Sequence, residues 1–198
     1  MQVQYWRKLW RAWAVVGVAV TMAALVPAAA AGETVSQADP AGDVVKKTQH
    51  GFVAAREKRA DIRHVRFVHT SRRVTTTIRL AKFGFHWGYQ GAIKTPTHRY
   101  TVLGEGFRGD HSFFLTGFTH FVQCDGVTSA VRRATHTIRV SVPTSCLRRP
   151  RWVRVGLVLT TADGRGGVFF DDPLRDGLVK PRPVRLSPRL HIDAVSAR

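Results

Sequence analysis

The chain repeatedly alternates apolar and polar residues over short stretches, which is the pattern of half-buried β-strands. The alternation is clearest over residues 74–80, 138–142 and 153–159. Further strands are predicted at residues 62–69, 99–103, 113–116 and 120–124, with turn signals rich in Gly, Asp and Ser between them. Seven or eight short antiparallel strands predict an all-β sandwich, of the jelly-roll or immunoglobulin-like kind.

The ends of this pattern set the domain limits. Residues 44–59 lack a clean apolar stripe and are predicted to form a strand with an irregular connection. We expect one β-sandwich domain over residues 32–179. A basic, Pro-rich tail over residues 180–198 is predicted to be extended and partly disordered, with a few apolar residues that can dock on a sheet edge.

The first 31 residues have the composition of a secretory signal peptide. A basic start with Arg7, Lys8 and Arg11 precedes an apolar run over residues 12–25 and then four alanines. The run is shorter than the ~20 residues of a membrane-spanning helix, which favours cleavage over an uncleaved anchor. Residues 1–31 are therefore predicted to be removed, and no later apolar run follows. We expect a secreted protein, extracellular or associated with the cell wall.

The chain is strongly basic, with a formal net charge of +18, and only three of its 31 Lys and Arg residues lie in the expected signal peptide. Such a charge attracts polyanions, which outside the cell include anionic wall polymers, acidic polysaccharides, lipid head groups and nucleic acid. The paired arginines at 72–73, 132–133 and 148–149 fall in predicted turns, where a solvated coat explains them as well. No specific nucleic-acid-binding motif is present.

Cys124 and Cys146 are the only two cysteines of the chain. An exported protein meets an oxidising environment, so these two residues are predicted to form a disulfide. A bridge that closes a loop of about 20 residues stabilises a fold by about 3 kcal/mol, mostly by restricting the unfolded chain.

The few acidic residues gather near the two ends of the predicted sandwich. Asp39 and Asp43 frame one turn, Asp61 opens a strand, and Asp171 and Asp172 precede a proline. Because the first and last strands of a sandwich are often neighbours, we expect these carboxylates to approach one another. Grouped carboxylates suit a hard cation, and the five aspartates are the predicted ligands of a structural Ca²⁺ ion. Asp before Pro or Gly also forms turns and caps without any ion.

The turn over residues 39–43 (Asp-Pro-Ala-Gly-Asp), followed by Asp61, Ile62 and an alternating strand, resembles the start of DOMON-like and family 9 carbohydrate-binding sandwiches. The chain also resembles a group of uncharacterised secreted actinobacterial proteins through that turn and residues 142–147 and 150–155. The resemblance implies a jelly-roll or immunoglobulin-like sandwich with a structural calcium ion, and it implies no particular activity.

Two departures limit what the resemblance implies. Haem-binding DOMON-like domains resemble cytochromes in using a Met/His ligand pair, but Met1 and Met22 both lie in the predicted signal peptide. Family 9 modules are similar to one another in holding a sugar between two Trp rings, whereas Trp152 here begins a predicted core strand and leaves only Trp87. Neither a haem group bound by that pair nor a paired-Trp clamp is expected.

Residues 83–91 combine four aromatic residues with three glycines between two predicted strands. Aromatic faces with a nearby His or Gln suit the C–H faces of sugars and also the stacking of bases. Phe85, His86, Trp87 and Tyr89 are therefore the predicted ligand-contact residues. The alternative is a loop that folds back with its rings buried and plugs one end of the sandwich. A second aromatic zone, over residues 107–121, follows strand spacing and is predicted to be core.

Enzymatic chemistry has little support in the sequence. Neither a zinc-binding spacing nor a nucleophile-elbow motif is present, and the nine histidines are scattered. Glycoside hydrolysis needs two carboxylates across a sugar, and Glu105 with Asp110 and His111 is the best set that the sequence offers.

These patterns predict a secreted, non-enzymatic binding or cell-envelope protein that recognises an extracellular polysaccharide or an anionic wall polymer. A small secreted hydrolase and a purely structural accessory domain are the alternatives. Salt separates the binding modes, because non-specific polyanion binding weakens steeply with salt whereas stacking on a sugar does not.

Overall fold

The structure is a computed structural model that describes residues 32–117, 122–163, 165–175 and 184–192. The expected signal peptide lies outside the described residues. Within them the chain forms thirteen strands and one short 3-10 helix. None of the described segments is a helix long and apolar enough to cross a membrane.

The strands follow one another closely along the chain. In chain order they are β1 (Glu33–Ala38), β2 (Val45–Thr48), β3 (Gly51–Ala54), β4 (Ile62–His69), β5 (Arg73–Leu80), β6 (His86–Lys94), β7 (Arg99–Phe107), β8 (Asp110–Gly117), β9 (Thr128–Arg132), β10 (Thr137–Pro143), β11 (Trp152–Ala162), β12 (Val168–Asp171) and β13 (Leu190–His191). The 3-10 helix, Thr144–Leu147, follows β10.

These strands pair antiparallel in two sheets. The five-stranded sheet has the order β1-β4-β5-β10-β9. The eight-stranded sheet has the order β3-β2-β12-β11-β6-β7-β8, and β13 pairs with β11 beside this path. Both sheets contain strands that are far apart in sequence, so their register depends on long-range pairing and not on local turns alone.

A single large hydrophobic cluster fills the space between the two sheets. It contains Phe67 and Ile78 from the five-stranded sheet together with Trp87, Leu115 and Leu157 from the eight-stranded sheet. The predicted all-β sandwich is thereby confirmed. Because successive side chains of a strand point to opposite faces, the residues that alternate with this core form two outer faces, one on each sheet.

The strands predicted from alternation are present with shifted limits. Strand β4 has the predicted bounds, whereas β7 and β11 extend beyond theirs. Residues 44–59 form the β2–β3 hairpin in place of one strand. The predicted loop over 83–91 is wrong in its second half, because β6 begins at His86. Part of the strand predicted at 120–124 lies outside the described residues.

The predicted disulfide is confirmed. The sulfur atoms of Cys124 and Cys146 are 2.04 Å apart. Both residues are partly buried against the core, one before β9 and the other in the 3-10 helix after β10. The bridge therefore fixes the ends of the segment that forms the β9–β10 edge of the five-stranded sheet.

Residues 184–192 pack on the sandwich, which corrects the expectation of an extended tail for this part of the chain. Strand β13 pairs with the start of β11, and Leu190 is fully buried. The backbone N–H of Ser187 donates to the carbonyl of Val155 at 2.7 Å. The segment thus continues the sheet beside β11.

A buried histidine joins this segment to the five-stranded sheet. The His69 side chain is fully buried, and its Nδ1–H donates to the Leu190 carbonyl at 2.9 Å. Within the described part of the chain its Nε2 has no hydrogen-bond partner. Burial lowers the pKa of His69 below its ordinary value, with a smaller contribution from His191.

We predict that the free energy of unfolding decreases as the pH falls from 7.5 to 5, in part because of His69. The unfolded chain binds a proton at this residue near pH 6.5, but the folded protein binds it only at a lower pH, so acid favours unfolding. The added slope is at most about 1.4 kcal/mol per pH unit. Urea titrations at several pH values measure it.

The variant His69→Gln is expected to have a smaller pH slope than the wild-type protein, whatever its absolute stability. His50→Gln, at an exposed turn residue, provides the matched control and should keep the wild-type slope. Equal slopes for all three proteins would show that His69 is not the group that titrates.

Candidate functional site

A groove runs across the middle of the eight-stranded sheet on its outer face. It has a volume of about 540 Å³. Strand register places Thr160, Gly88 and Glu105 side by side across it, and Gln90 and Leu103 occupy the next row. Three strands, β11, β6 and β7, therefore form its floor.

Gly88 keeps this floor flat. A Cβ atom at residue 88 would lie 2.5 Å from the Thr160 hydroxyl oxygen, which is closer than side chains approach. In its absence the Thr160 hydroxyl donates to the Gly88 carbonyl at 3.3 Å. The Thr160 hydroxyl therefore lies over Gly88 and occupies the space that a side chain at residue 88 would need.

The exposed Phe114 ring lines the groove, and the exposed rings of Phe85 and Phe107 lie outside its lining, next to His86. Phe85 and Phe107 are 75% and 56% exposed, and Phe114 is also exposed on the same face. The rings of His86 and Phe107 meet edge to face at 6.0 Å between centroids, and the Arg108 guanidinium lies 5.2 Å from the Phe107 centroid. Large exposed rings beside a concave surface are a common feature of ligand sites.

The groove carries little positive charge despite the basic composition of the chain. Among the described residues that line it there is no Lys or Arg, and Glu105 is the only acidic residue. The other polar groups are hydroxyl, amide and imidazole groups. This lining offers hydrogen bonds to an uncharged ligand and offers no cation to an anionic one.

The structure corrects two of the predicted ligand-contact residues. Trp87 and Tyr89 are 2% and 4% exposed, so their rings cannot stack on an external ligand. Both residues belong to β6, where they alternate with His86, Gly88 and Gln90 and therefore point to the core. Of the predicted contact residues only Phe85 and the exposed His86 remain on the surface.

The two buried rings stabilise the interior instead. Phe113 lies 5.9 Å from Trp87 and 5.5 Å from Tyr89 between ring centroids. The Tyr89 hydroxyl makes a hydrogen bond with Thr76 of the opposite sheet, and burial raises the pKa of Tyr89 to about 12. The alternative interpretation of residues 83–91, in which the rings are buried, describes Trp87 and Tyr89 correctly.

Sequence reasoning missed two rings that are exposed on the outer face of the eight-stranded sheet. Phe107 and Phe114 were predicted to be core, but both are exposed on the outer face. A signal was available, because Phe113 and Phe114 are neighbours in a strand and must point to opposite faces. Only the register of β8 against β7 decides which of the two is buried.

The residues of the alternative hydrolase site lie beside the groove. Glu105, Asp110 and His111 line a second cavity of about 290 Å³ together with His86 and Ser112. All five are exposed. A general acid or base is usually held by neighbouring groups and shielded from water once substrate is bound, whereas these five side chains face solvent.

Four of the five aspartates predicted to bind calcium come together at one edge of the sandwich. Carboxylate oxygens of Asp39, Asp43 and Asp171 lie within 4.8 Å of one another. Ligands on opposite sides of a calcium ion are separated by about 5 Å, so these three carboxylates fit around one ion. Asp61 is close enough to affect Asp171 electrostatically.

The electrostatics of this acid cluster favour a bound cation or proton. Burial, together with the negative charges of Asp39, Asp43 and Asp61, raises the pKa of Asp171 to about 9, although a hydrogen bond from the Ile62 N–H acts in the opposite direction. At neutral pH four ionised carboxylates in this space would repel one another. The residues therefore fit a calcium ion, and the calcium site stays a prediction.

Asp172 is the exception, and its prediction as a ligand is corrected. Its carboxylate accepts hydrogen bonds from the Arg175 side chain at 3.0 Å and from the Leu174 backbone N–H at 3.2 Å. A third bond comes from the Arg185 backbone N–H at 3.3 Å. Asp172 thus fixes the chain after β12 instead of joining the cluster, because it follows Asp171 directly and points the other way.

We compared the chain with protein-family models, curated proteins and solved structures. No protein-family model, curated protein or solved structure matches the chain.

We predict that calcium raises the midpoint of thermal unfolding relative to protein treated with a chelator. Calcium at 100 times its dissociation constant stabilises the folded state by about 2.7 kcal/mol, a shift of about 5–10 °C for a chain of this size. Asp43→Asn removes one of the three clustered carboxylates and should reduce the shift strongly. Differential scanning calorimetry with and without calcium measures it.

Asp172→Asn is the matched control, because it changes the neighbouring aspartate outside the cluster. It should lower the unfolding midpoint through loss of its contact with Arg175 but keep the calcium-dependent shift. If calcium does not change the midpoint of thermal unfolding of the wild-type protein, the calcium prediction is refuted.

Proposed function

We propose that this protein is a non-enzymatic binding protein of the cell exterior and that it recognises a neutral polysaccharide through the groove of the eight-stranded sheet. The observation that carries the proposal is the combination of the exposed Phe114 ring with the polar side chains of Glu105 and Thr160 in one groove. The disulfide supports an oxidising location.

The chemistry of a sugar matches this combination. Each ring of a pyranose has a face of C–H groups, which packs on aromatic rings, and an edge of hydroxyls, which hydrogen-bond to carboxylate, amide and hydroxyl groups. The Thr160 hydroxyl and the Glu105 carboxylate lie in one row across the floor of the groove, where both can bond to hydroxyls of a bound chain. A groove that is open along its length also suits an internal segment of a long chain.

The lining favours a neutral polymer over an anionic one. The carboxylate of Glu105 repels an anion, and no Lys or Arg among the described lining residues compensates for it. Binding in the groove should therefore depend on stacking and hydrogen bonds, which salt weakens little.

The direct test is binding of the oxidised protein to a panel of neutral polysaccharides at low and at high salt, by affinity electrophoresis and calorimetry. We expect salt-tolerant binding to at least one of them. Phe114→Ala should lower the affinity roughly tenfold, since loss of a stacked aromatic ring typically costs about 1–3 kcal/mol. Glu105→Gln should also weaken binding.

Val53→Ala is the control, because Val53 is an exposed apolar residue of the same sheet outside the groove. It should bind like the wild type. Failure of every neutral polysaccharide to bind, or equal binding by the groove variants and the control, would refute the proposed function. Release of new chain ends from a bound polysaccharide, abolished in Glu105→Gln, would replace it with the hydrolase alternative.

A further inference from the structure

We propose that the outer face of the five-stranded sheet is a second binding surface, which holds a flexible linear polymer of phosphodiesters along four arginines. These are Arg66 of β4, Arg79 of β5, Arg139 of β10 and Arg132 of β9, called the arginine zigzag below. All four are exposed. The surface is on the opposite side of the sandwich from the groove and does not depend on the function proposed for the groove.

Strand register produces the zigzag. Arg66 and Arg139 both lie opposite Thr77, on either side of it, in one row across the sheet. Arg79 and Arg132 both lie opposite Thr137 in the next row. Each arginine is therefore the diagonal neighbour of the next, with about 7–8 Å between their Cα atoms. The four residues lie on four adjacent strands, which together span about 14 Å across the sheet.

Among the described strand positions of this face there is no acidic side chain. The strand positions that share it within the described residues carry only hydroxyl, small or apolar, imidazole and guanidinium groups: Thr34, Ser36, Ala38, His64, Arg66, Val68, Arg73, Thr75, Thr77, Arg79, Thr128, Ala130, Arg132, Thr137, Arg139, Ser141 and Pro143. The three ion pairs of the described chain use Arg59, Arg63 and Arg175. The charge on this face is thus not neutralised locally.

The zigzag arginines differ from a structural arginine on the same sheet. Arg73 donates to the Gly126 carbonyl at 2.7 Å and to the Thr128 hydroxyl at 2.9 Å, and it also contacts Ser141. Among the described residues, the four arginines of the zigzag have no such bond. Their guanidinium groups keep their donors for an external anion, and a guanidinium fork matches the two oxygens of a phosphodiester.

The shape and composition of the face favour a phosphodiester polymer without bases. The strand positions described on this face include no Phe, Tyr or Trp side chain on which bases could stack. A five-stranded sheet is too wide to enter the major groove of duplex DNA, which admits a helix or a two-stranded ribbon. A zigzag of single charges also requires a chain that bends between its charges, as polyol phosphates do and stiff uronic acid chains do not.

The test measures binding of poly(glycerol phosphate) to the oxidised protein over a range of salt concentrations. Polygalacturonate and single-stranded oligothymidine with equal numbers of charges are the comparison ligands. Arg66→Gln/Arg139→Gln should lower the affinity for poly(glycerol phosphate) about tenfold and reduce the slope of log affinity against log salt by about two. Thermal unfolding checks that the variant is folded.

Arg56→Gln/Arg151→Gln is the matched control. Both arginines are exposed and lie outside the five-stranded sheet, and the double substitution removes the same amount of charge. It should change the affinity by less than about twofold. An equal loss in the two double variants would overturn the proposal in favour of a diffuse coat. Equal or tighter binding of polygalacturonate or oligothymidine would overturn the assigned ligand.

Failure of this proposal and failure of the groove are distinguishable. The arginine variants leave Phe114 and Glu105 of the groove unchanged, and the groove variants leave the arginine zigzag unchanged. A protein that binds a neutral polysaccharide but not poly(glycerol phosphate) would refute only the proposal for the five-stranded sheet. A protein that binds poly(glycerol phosphate) but no neutral polysaccharide would refute only the proposal for the groove.

Discussion

The contact between the Trp87 ring and the backbone at Gly106 determines how strands β6 and β7 sit in the sandwich. A Cβ atom at residue 106 would lie 2.2 Å from the indole, and one at Gly104 would lie 2.3 Å from the Phe113 ring. Glycine at both positions lets the rings lie directly on the neighbouring strand. Close packing of this kind gives the interior its density and leaves little room for another arrangement.

This packing decides which residues reach the outside. Since Trp87 points inward, His86 and Gly88 must point outward, and the same alternation places Glu105 and Phe107 on the outer face of β7. The groove is thus the reverse side of the aromatic core. On the other sheet Phe67 and Ile78 point into the core. The residues that alternate with them, which include the arginine zigzag, therefore point outward. One core therefore produces two outer faces with different chemistry, and the acid cluster lies where the two sheets meet.

Features that show in a short stretch of sequence, or in the count of one residue type, were predicted correctly. Alternation identified β4, β10 and β11, cysteine count identified the disulfide, and the grouping of aspartates at both ends of the domain identified the acid cluster apart from Asp172. Residues 83–91 were misread because glycines interleaved with aromatic residues are typical of loops. Here Gly88 and Gly91 lie within a strand, and Gly91 makes room for the Tyr89 ring.

The remaining features depend on register between distant strands. The arginine zigzag joins residues 66, 79, 132 and 139, and no spacing within one strand reveals that they form a line. The paired arginines pointed to turns, whereas Arg132 ends a strand and faces the same side as Arg139. Likewise, the choice of Phe114 over Phe113 for the groove and the docking of residues 184–192 beside β11 follow only from long-range pairing.

The central claim is that the two outer faces bind different polymers. Backbone amide chemical shifts of the isotopically labelled protein, recorded with poly(glycerol phosphate) and then with a neutral polysaccharide that it binds, test this claim directly. The account predicts two separate sets of shifted amides, the first in β4, β5, β9 and β10 and the second in β6, β7, β8 and β11. Coinciding sets, or shifts confined to the turns for both ligands, would contradict it.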